Sequence, residues 1–176
     1  SILQSNHFLC TIYERNDNKL REKEGLPQGK GWYTSTDGTP PESSKTLITE
    51  NGISYLVDVE NGQKTGFFLN QKYNRLAVAK LSEGKRVLDC FTHTGSFALN
   101  AARGGALHVT AVDISDTAIS LAKENADRNG LSARIDFHTD DVFHLLPTLA
   151  DRREAPYDLI ILDPPAFTKS RKTAAN

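Results

Sequence analysis

The stretch Val87-Leu88-Asp89-Cys90-Phe91-Thr92-His93-Thr94-Gly95-Ser96-Phe97-Ala98 decides the fold. A short apolar run ends at an acid, a loop of small and hydroxyl residues follows, and a helix-like pattern begins at Ser96. This order is typical of a strand that delivers a backbone loop to a ligand, with a helix N-terminus behind it. It predicts a ligand-binding loop after the first strand of an α/β sheet.

Strands and helices alternate after this stretch. Predicted strands cover residues 86–90, 108–112, 134–138 and 157–162, and predicted helices cover residues 96–103, 116–129 and 142–149. Such alternation with short connections is typical of a parallel sheet with right-handed crossovers. A helix is also predicted over 70–81, with Tyr73, Leu76, Ala77 and Leu81 on its buried face. We therefore predict an α/β fold with the first four strands of a Rossmann-like sheet.

The first 70 residues predict a small, β-rich α+β module, so we divide the chain into residues 1–70 and 71–176. Residues 8–13 are rich in strand formers, and residues 25–31 form a glycine-rich loop. Asn51-Gly52 is a strong hairpin signal between strands at 47–50 and 53–59, and the apolar run resumes at 64–69. The mixed-charge run 14–24 fits a solvated helix, or it brings Arg15, Lys19 and Arg21 to RNA phosphates.

Four acids follow or end the predicted strands: Asp89, Asp113, Asp140 and Asp163. Because parallel strands point the same way, we expect these acids to converge at the carboxyl edge of the sheet, where open α/β sheets bind ligands. Residues 163–167 read Asp-Pro-Pro-Ala-Phe, in which two prolines fix a rigid turn and Phe167 can stack on a base.

The chemistry of these acids favours one ligand. Asp89 suits a cationic group, such as the amino group and sulfonium of S-adenosylmethionine, and the missing GxGxxG pattern argues against a dinucleotide. Asp113 lies 18 residues after Gly95, near the offset of roughly 20 at which an acid meets ribose hydroxyls. Asp140 can accept from an adenine amine, whereas Asp141 fits that role or a helix cap equally. We predict a methyltransferase that uses S-adenosylmethionine.

Composition sets broader limits. The net charge of −1 excludes a chain whose whole surface binds nucleic acid, but it leaves room for local basic patches. Cys10 and Cys90 form no disulfide framework, and the histidines and cysteines show no metal-ligand spacing. We expect no metal, no membrane span, no secretion signal and a cytoplasmic location. Without an initial Met, the chain is expected to begin inside a longer parent.

The strand-end motifs together resemble the class I S-adenosylmethionine-dependent methyltransferases. More narrowly, residues 50–71, and above all the stretch Lys64-Thr65-Gly66-Phe67-Phe68-Leu69-Asn70-Gln71, resemble the bacterial 23S rRNA 5-methylcytosine methyltransferase family. That family has an N-terminal PUA domain, a central β-rich domain and a C-terminal methyltransferase domain. The resemblance implies that this chain is a fragment without the PUA domain and without the end of the catalytic domain.

The resemblance also implies roles for individual residues. The cofactor site would comprise Gln71, Asp89, Phe91, Thr92, Thr94, Gly95, Ser96, Phe97, Asp113, Ile114, Ser115, Asp140, Asp141 and Val142. Asp163, Pro164, Pro165 and Phe167 would place the flipped cytosine. Candidate contacts to 23S rRNA phosphates are Lys64, Lys72, Arg75, Lys169, Arg171 and Lys172.

In that family a cysteine adds to carbon 6 of cytosine, and we expect this nucleophile outside the chain, because Cys90 on the cofactor strand is a poor substitute. Three alternatives stay open: methylation of another RNA atom such as a guanine ring nitrogen, a nucleotide-binding dehydrogenase, and a non-catalytic domain that binds cofactor or RNA. The sequence also leaves the oligomeric state open, with a homodimer as one option.

Overall fold

A computed structural model of the protein describes residues 11–33, 41–152 and 156–165. The chain divides into two compact units. The first comprises residues 1–48 and 56–69, and the second comprises residues 49–55 and 70–176. The division of the chain into family domains at residue 70 stays a prediction. Within the described ranges, no helix has the length and apolar character needed to cross a membrane.

An antiparallel pair of strands opens the first unit, β1 (Ile12–Asn16) and β2 (Gly29–Tyr33). Tyr13 lies opposite Trp32, and their ring centroids are 4.7 Å apart. A short helix, α1 (Lys19–Lys23), connects the strands and is capped by the Asn18 side chain, which accepts from the Leu20 amide.

Two local predictions for this region are wrong. The mixed-charge run 14–24 contains the end of β1 as well as a helix, and the predicted loop over 25–31 contains the start of β2. Cross-strand aromatic packing stabilises this pairing despite the glycines of β2, because strand stability depends more on side-chain neighbours than on intrinsic preference. Residues 8–10 of the first predicted strand lie outside the described residues.

The predicted hairpin is confirmed. Strands β3 (Lys45–Glu50) and β4 (Ile53–Asp58) form a two-stranded sheet around Asn51-Gly52. Both turn residues have positive φ, 53° and 74°, as a type I′ hairpin turn requires. Residues 59–67, which include most of the apolar run at 64–69, form turns and bends.

Four parallel strands build the second unit: β5 (Arg86–Cys90), β6 (His108–Asp113), β7 (Ile135–Thr139) and β8 (Leu159–Leu162). Their order is β7-β6-β5-β8. After β7 the chain crosses to the other side of β5 to form β8, so the topological switch point lies between β5 and β8. Cys90 lies opposite both Val112 and Leu162, which aligns the carboxyl ends of the strands. The predicted Rossmann-like α/β sheet is confirmed.

A 3-10 turn (Leu69–Gln71) and helix α2 (Lys72–Leu81) precede this sheet. Its strands are connected by α3 (Ser96–Arg103), α4 (Asp116–Arg128) with a 3-10 turn at Ser132–Arg134, and α5 (Val142–Asp151). Alanines on α3 are fully buried, so this helix lies close to its neighbours. Its C-cap Gly104 lies so near α2 that an added Cβ would meet the Ala79 carbonyl oxygen at 2.0 Å. Close packing of small residues therefore fixes the helix that follows the ligand loop.

The buried face of α2 differs from the prediction. Tyr73, Leu76 and Leu81 are 77%, 37% and 55% exposed, whereas Arg75 is 1% exposed. The Arg75 Nε donates to Glu50 Oε1 at 2.6 Å, and both side chains are buried. The predicted phosphate contact of Arg75 is therefore wrong, since its guanidinium is paired inside the second unit.

We expect Arg75→Met to lower the free energy of unfolding by about 3–5 kcal/mol, because it leaves the buried Glu50 carboxylate without its cation. Glu50→Gln in the same chain should recover part of that loss, since it removes the uncompensated charge. The matched control is Arg128→Met, which removes an exposed pair with Glu124 and should cost about 0.5 kcal/mol or less. Urea unfolding measures all three variants, and equal costs for Arg75→Met and Arg128→Met would contradict the assignment.

Candidate functional site

The loop between β5 and α3 has an unusual backbone. Phe91, His93 and Gly95 all lie in the left-handed region, with φ of 60°, 52° and 80°. A Cβ at Gly95 would meet Leu99 Cδ1 at 2.8 Å and Ala122 Cβ at 3.0 Å. Packing alone therefore requires glycine at this position, and close approach of a ligand to Gly95 stays a prediction. Left-handed non-glycine residues cost free energy and concentrate at functional sites.

Asp89 holds the two ends of this loop together. Its side chain is fully buried, and its Oδ2 accepts from the Thr92 hydroxyl at 2.5 Å and from the Ala98 amide at 2.9 Å. Burial raises the pKa of Asp89 to about 7, the two hydrogen bonds oppose this rise, and the charges of Asp163 and Asp113 add to it. Asp89 thus lies beneath the loop, and the Thr92 hydroxyl is already used as its donor.

Asp113 connects two loops at the end of β6. Its Oδ2 accepts from the His93 amide at 2.8 Å, and its Oδ1 accepts from the Ser115 amide at 3.0 Å. The Ser115 side chain, not Asp113, caps α4. Burial lowers the pKa of His93, which the nearby Asp113 charge partly opposes. The following residue, Ile114, is 72% exposed and presents an apolar surface next to the acid.

The residues after β7 have separate roles. The Asp140 amide donates to the Asp113 carbonyl at 3.1 Å, and the Asp140 side chain is exposed. Asp141 caps α5, because its Oδ1 accepts from the Phe143 amide at 2.9 Å. Val142 is buried in the core, so only its backbone is available to a ligand. Of the three, Asp140 has the exposed carboxylate, and its Oδ1 accepts from the Asp141 amide at 2.7 Å.

One aromatic residue was missed by the sequence analysis. Phe143, in the first turn of α5, is 59% exposed, and its ring centroid lies 5.8 Å from that of Phe91. An aromatic residue three positions after the strand-end acid Asp140 was the available signal. The pair of rings supplies apolar surface beside the exposed strand-end acids.

Asp163 lies at the end of β8 and is paired with a residue far away in sequence. Gln71 Nε2 donates to Asp163 Oδ2 at 3.3 Å, and Asn74 Nδ2 donates to Gln71 Oε1 at 2.5 Å. Gln71 thus lies beside the end of β8, and its contact with the cofactor stays a prediction. Pro164 and Pro165 are exposed beside Asp163, whereas Phe167 and the candidates Lys169, Arg171 and Lys172 lie outside the described residues.

Buried amides, also missed by the sequence analysis, support the loop from below. Asn100 Nδ2 donates to the Ser96 carbonyl at 2.8 Å and to the Tyr55 hydroxyl at 2.7 Å. Asn125 Nδ2 donates to the Thr94 carbonyl at 3.4 Å. Asparagines on the apolar faces of two helices were the signal that could have identified them. The amides of Ser96 and Phe97 lie in the first turn of α3 and have no acceptor among the described residues.

The remaining candidates are two lysines proposed to contact RNA and the cysteine on β5. Lys64 Nζ lies 4.6 Å from the Phe68 ring centroid, and Lys72 is exposed. Cys90 is fully buried, and burial first, then the Asp89 charge, raises the pKa of its thiol to about 11. A thiol with this pKa stays protonated near pH 7 and is a poor nucleophile. Within residues 11–33, 41–152 and 156–165, no cluster of three or more acidic, histidine or cysteine side chains could hold a metal ion.

Comparisons with known proteins point to one family. The sequence model described as S-adenosylmethionine-dependent methyltransferase matches residues 32–174. The chain is 45% identical over 163 residues to Ribosomal RNA large subunit methyltransferase I of Aeromonas salmonicida, which covers 92% of this chain and 40% of that protein. The chain therefore spans about two fifths of the length of such curated relatives.

Two solved structures have a similar fold. The methyltransferase SMU.776, solved in complex with SAH, has a TM-score of 0.69 and 32% identity, over 81% of this chain and 37% of that one. A SAM-dependent methyltransferase from Streptococcus mutans has a TM-score of 0.66 and 34% identity, over 77% of this chain and 36% of that one.

The raised pKa of Asp89 predicts how stability changes with pH. The folded chain holds the Asp89 proton up to about pH 7, whereas an unfolded aspartate releases it near pH 4. The free energy of unfolding should therefore fall as pH rises through this window, by at most about 1.4 kcal/mol per pH unit. Asp89→Asn should flatten this fall, measured by urea unfolding from pH 5 to pH 8.

The control for this experiment is Asp151→Asn, which changes an exposed carboxylate at the end of α5. It should keep the wild-type dependence on pH. If Asp89→Asn kept that dependence too, the assignment of the buried carboxyl would be wrong.

Proposed function

Because the chain belongs to the S-adenosylmethionine-dependent methyltransferase family, we propose that it binds this cofactor at the carboxyl edge of the β7-β6-β5-β8 sheet and methylates a base of ribosomal RNA. The observation that carries the proposal is the convergence of acids at this edge. Asp113 and Asp163 both raise the pKa of Asp89, and Asp140 donates its amide to the Asp113 carbonyl. An edge of carboxylates favours a cationic ligand and disfavours a phosphate.

The methionine part of the cofactor fits the loop and the start of α3. Its carboxylate would be held by the Ser96 and Phe97 amides, since a helix N-terminus favours an anion. Its amino group would lie near Asp163, whose carboxylate is oriented by Gln71. We propose that Asp89 and Thr92 act by holding the loop in position, since both are buried and bonded to each other.

The nucleoside part fits the ends of β6 and β7. Asp113 would accept from the ribose hydroxyls with its remaining lone pairs, and exposed Asp140 would accept from the adenine amine. The exposed side chains of Ile114 and Phe143 would provide apolar surface for the ring. When bound, S-adenosylmethionine supplies a methyl group that its sulfonium makes electrophilic.

The substrate end of the site lies at Asp163. A base must leave its stack before it can be methylated, and the Asp-Pro-Pro segment after β8, whose prolines restrict the backbone, offers a fixed acceptor for such a base. The Gln71 hydrogen bond limits the rotamers of Asp163, so the acceptor is oriented before the base arrives. We propose Asp163, Pro164, Pro165 and Phe167 as the residues that place the base.

For the product we propose 5-methylcytosine in 23S rRNA. Support comes from the resemblance over residues 64–71 and from the name of the Aeromonas relative, which acts on large-subunit ribosomal RNA. Carbon-5 methylation needs a thiolate that adds to carbon 6. Buried Cys90 does not suit that role, so we propose that the nucleophile lies outside this chain.

The second candidate is methylation of an RNA ring nitrogen, which needs no thiolate. Cys90 is buried and its thiol stays protonated, which makes it a poor nucleophile, and this observation favours a reaction that needs no thiolate. The two candidates share the cofactor site and differ only in the atom that receives the methyl group.

Cofactor binding is tested by isothermal titration with SAH. Asp113→Ala should weaken binding by about 1–3 kcal/mol, because it leaves the ribose hydroxyls unpaired. The matched control, Glu124→Ala, removes an exposed carboxylate from α4 and should bind as the wild type does. Heat with NADH but none with SAH or S-adenosylmethionine would contradict the proposed cofactor.

The product is tested by incubating unmodified 23S rRNA with the full-length protein and labelled S-adenosylmethionine, followed by digestion to nucleosides. We expect labelled 5-methylcytidine, and labelled methylguanosine instead would support the second candidate. The 176-residue chain alone should label cytosine little or not at all, since its Cys90 thiol is buried. Clear turnover by this chain would contradict a nucleophile outside it.

A further inference from the structure

The first unit contains a cavity of about 490 Å³ that the proposed methyl transfer does not use. Its lining includes Tyr13, Arg15, Trp32, Ser44, Lys45 and Thr65, all from the first unit. The volume lies within the range of about 300–1,000 Å³ that is typical of small-ligand sites. The lining combines aromatic rings, hydroxyls and cations, and the described lining residues include no carboxylate.

Two aromatic rings form one wall of this cavity. Tyr13 and Trp32 are cross-strand partners in β1 and β2, and their ring planes meet at 71°. The Tyr13 hydroxyl hydrogen-bonds to Glu60, and burial, followed by this acid, raises the pKa of Tyr13. Both rings are partly exposed, so aromatic surface remains available beside the cavity. Rings fixed by a cross-strand pair lose little entropy when a base stacks on them.

Two cationic side chains, Arg15 and Lys45, line the cavity and differ in burial and hydrogen bonding. Arg15 lies two residues after Tyr13 on the same face of β1, and its Nη1 donates to the Gly62 carbonyl. Its Nε is buried and has no acceptor among the described residues. A buried donor in this state is costly, and an acceptor within the cavity would offset the cost. Lys45, at the start of β3, adds a second and exposed cation.

We propose that this cavity binds one nucleotide of single-stranded RNA, with the base against Trp32 and Tyr13 and the phosphate against Arg15 and Lys45. The inference rests on the proposed RNA substrate and adds to it a second contact, in the first unit. A stacking surface with cations binds bases of any sequence, because every base has a flat face. An acidic peptide would use the cations and leave the two rings without a function.

The binding test uses Trp32, which is the single tryptophan of the 176-residue chain. A single-stranded RNA hexamer should quench its fluorescence as a base stacks on the ring. An RNA duplex and an acidic hexapeptide should each quench much less at the same concentration. Equal or stronger quenching by the duplex or the peptide would overturn the proposal.

Variants then test the two kinds of contact, with the anisotropy of a labelled hexamer as the measurement. Lys45→Ala should lower the slope of log K against log salt by about 0.7, the loss of one phosphate contact to a single strand. The control Lys23→Ala, an exposed cation of the same unit outside the cavity, should keep the slope. An unchanged slope for Lys45→Ala would overturn the phosphate contact.

For the stacking contact, Trp32→Ala should weaken binding by about 5- to 150-fold, and Trp32→Phe should keep most of the affinity. Circular dichroism checks that each variant is folded. If Trp32→Ala does not fold, Lys45→Ala still tests the proposal. SAH is titrated in parallel on the same samples. Binding of SAH without quenching by the hexamer overturns this inference alone, whereas quenching without SAH binding contradicts the proposed cofactor.

Discussion

The candidate site depends on the buried carboxylate of Asp89. This one group accepts from the Thr92 hydroxyl in the loop and from the Ala98 amide in the first turn of α3. It therefore connects the end of β5 to both the loop and the helix that follows the loop. Full burial of a carboxylate is costly, and the two hydrogen bonds offset only part of that cost, which is why its pKa is raised. The left-handed residues Phe91 and His93 persist because the loop is fixed at both ends.

Asp113 extends the same arrangement to the next strand. It accepts from the His93 amide in the loop after β5 and from the Ser115 amide at the start of α4, and its carbonyl accepts from the Asp140 amide after β7. The Thr92 amide also donates to the Val112 carbonyl. Three strand ends are thus connected by hydrogen bonds before any ligand arrives. The charges of Asp163 and Asp113 add to the rise in the pKa of Asp89 in the free protein, and a cationic ligand beside these acids would gain affinity.

The sequence predicted the second unit well because its signals are local. Apolar runs mark β5 and β8, and the side chains of Ser115 and Asp141 cap α4 and α5. It failed where a distant partner decides. Helical spacing placed Leu76 inside and Arg75 outside, but Glu50, which is 25 residues away, makes the buried ion pair possible. Likewise Trp32 on β2 depends on Tyr13, and the inward side chain of Val142 depends on the core formed with β5 and β6.

Net charge was the least informative property of the chain, and the structure explains why. A value of −1 averages two opposite local fields. The strand ends of the second unit collect carboxylates, while the cavity of the first unit is lined by Arg15 and Lys45 and by no described acid. The proposed cationic cofactor and the proposed polyanionic RNA would need both fields on different groups, because each field would repel the other's ligand. The near-neutral total is what such a division of charge produces.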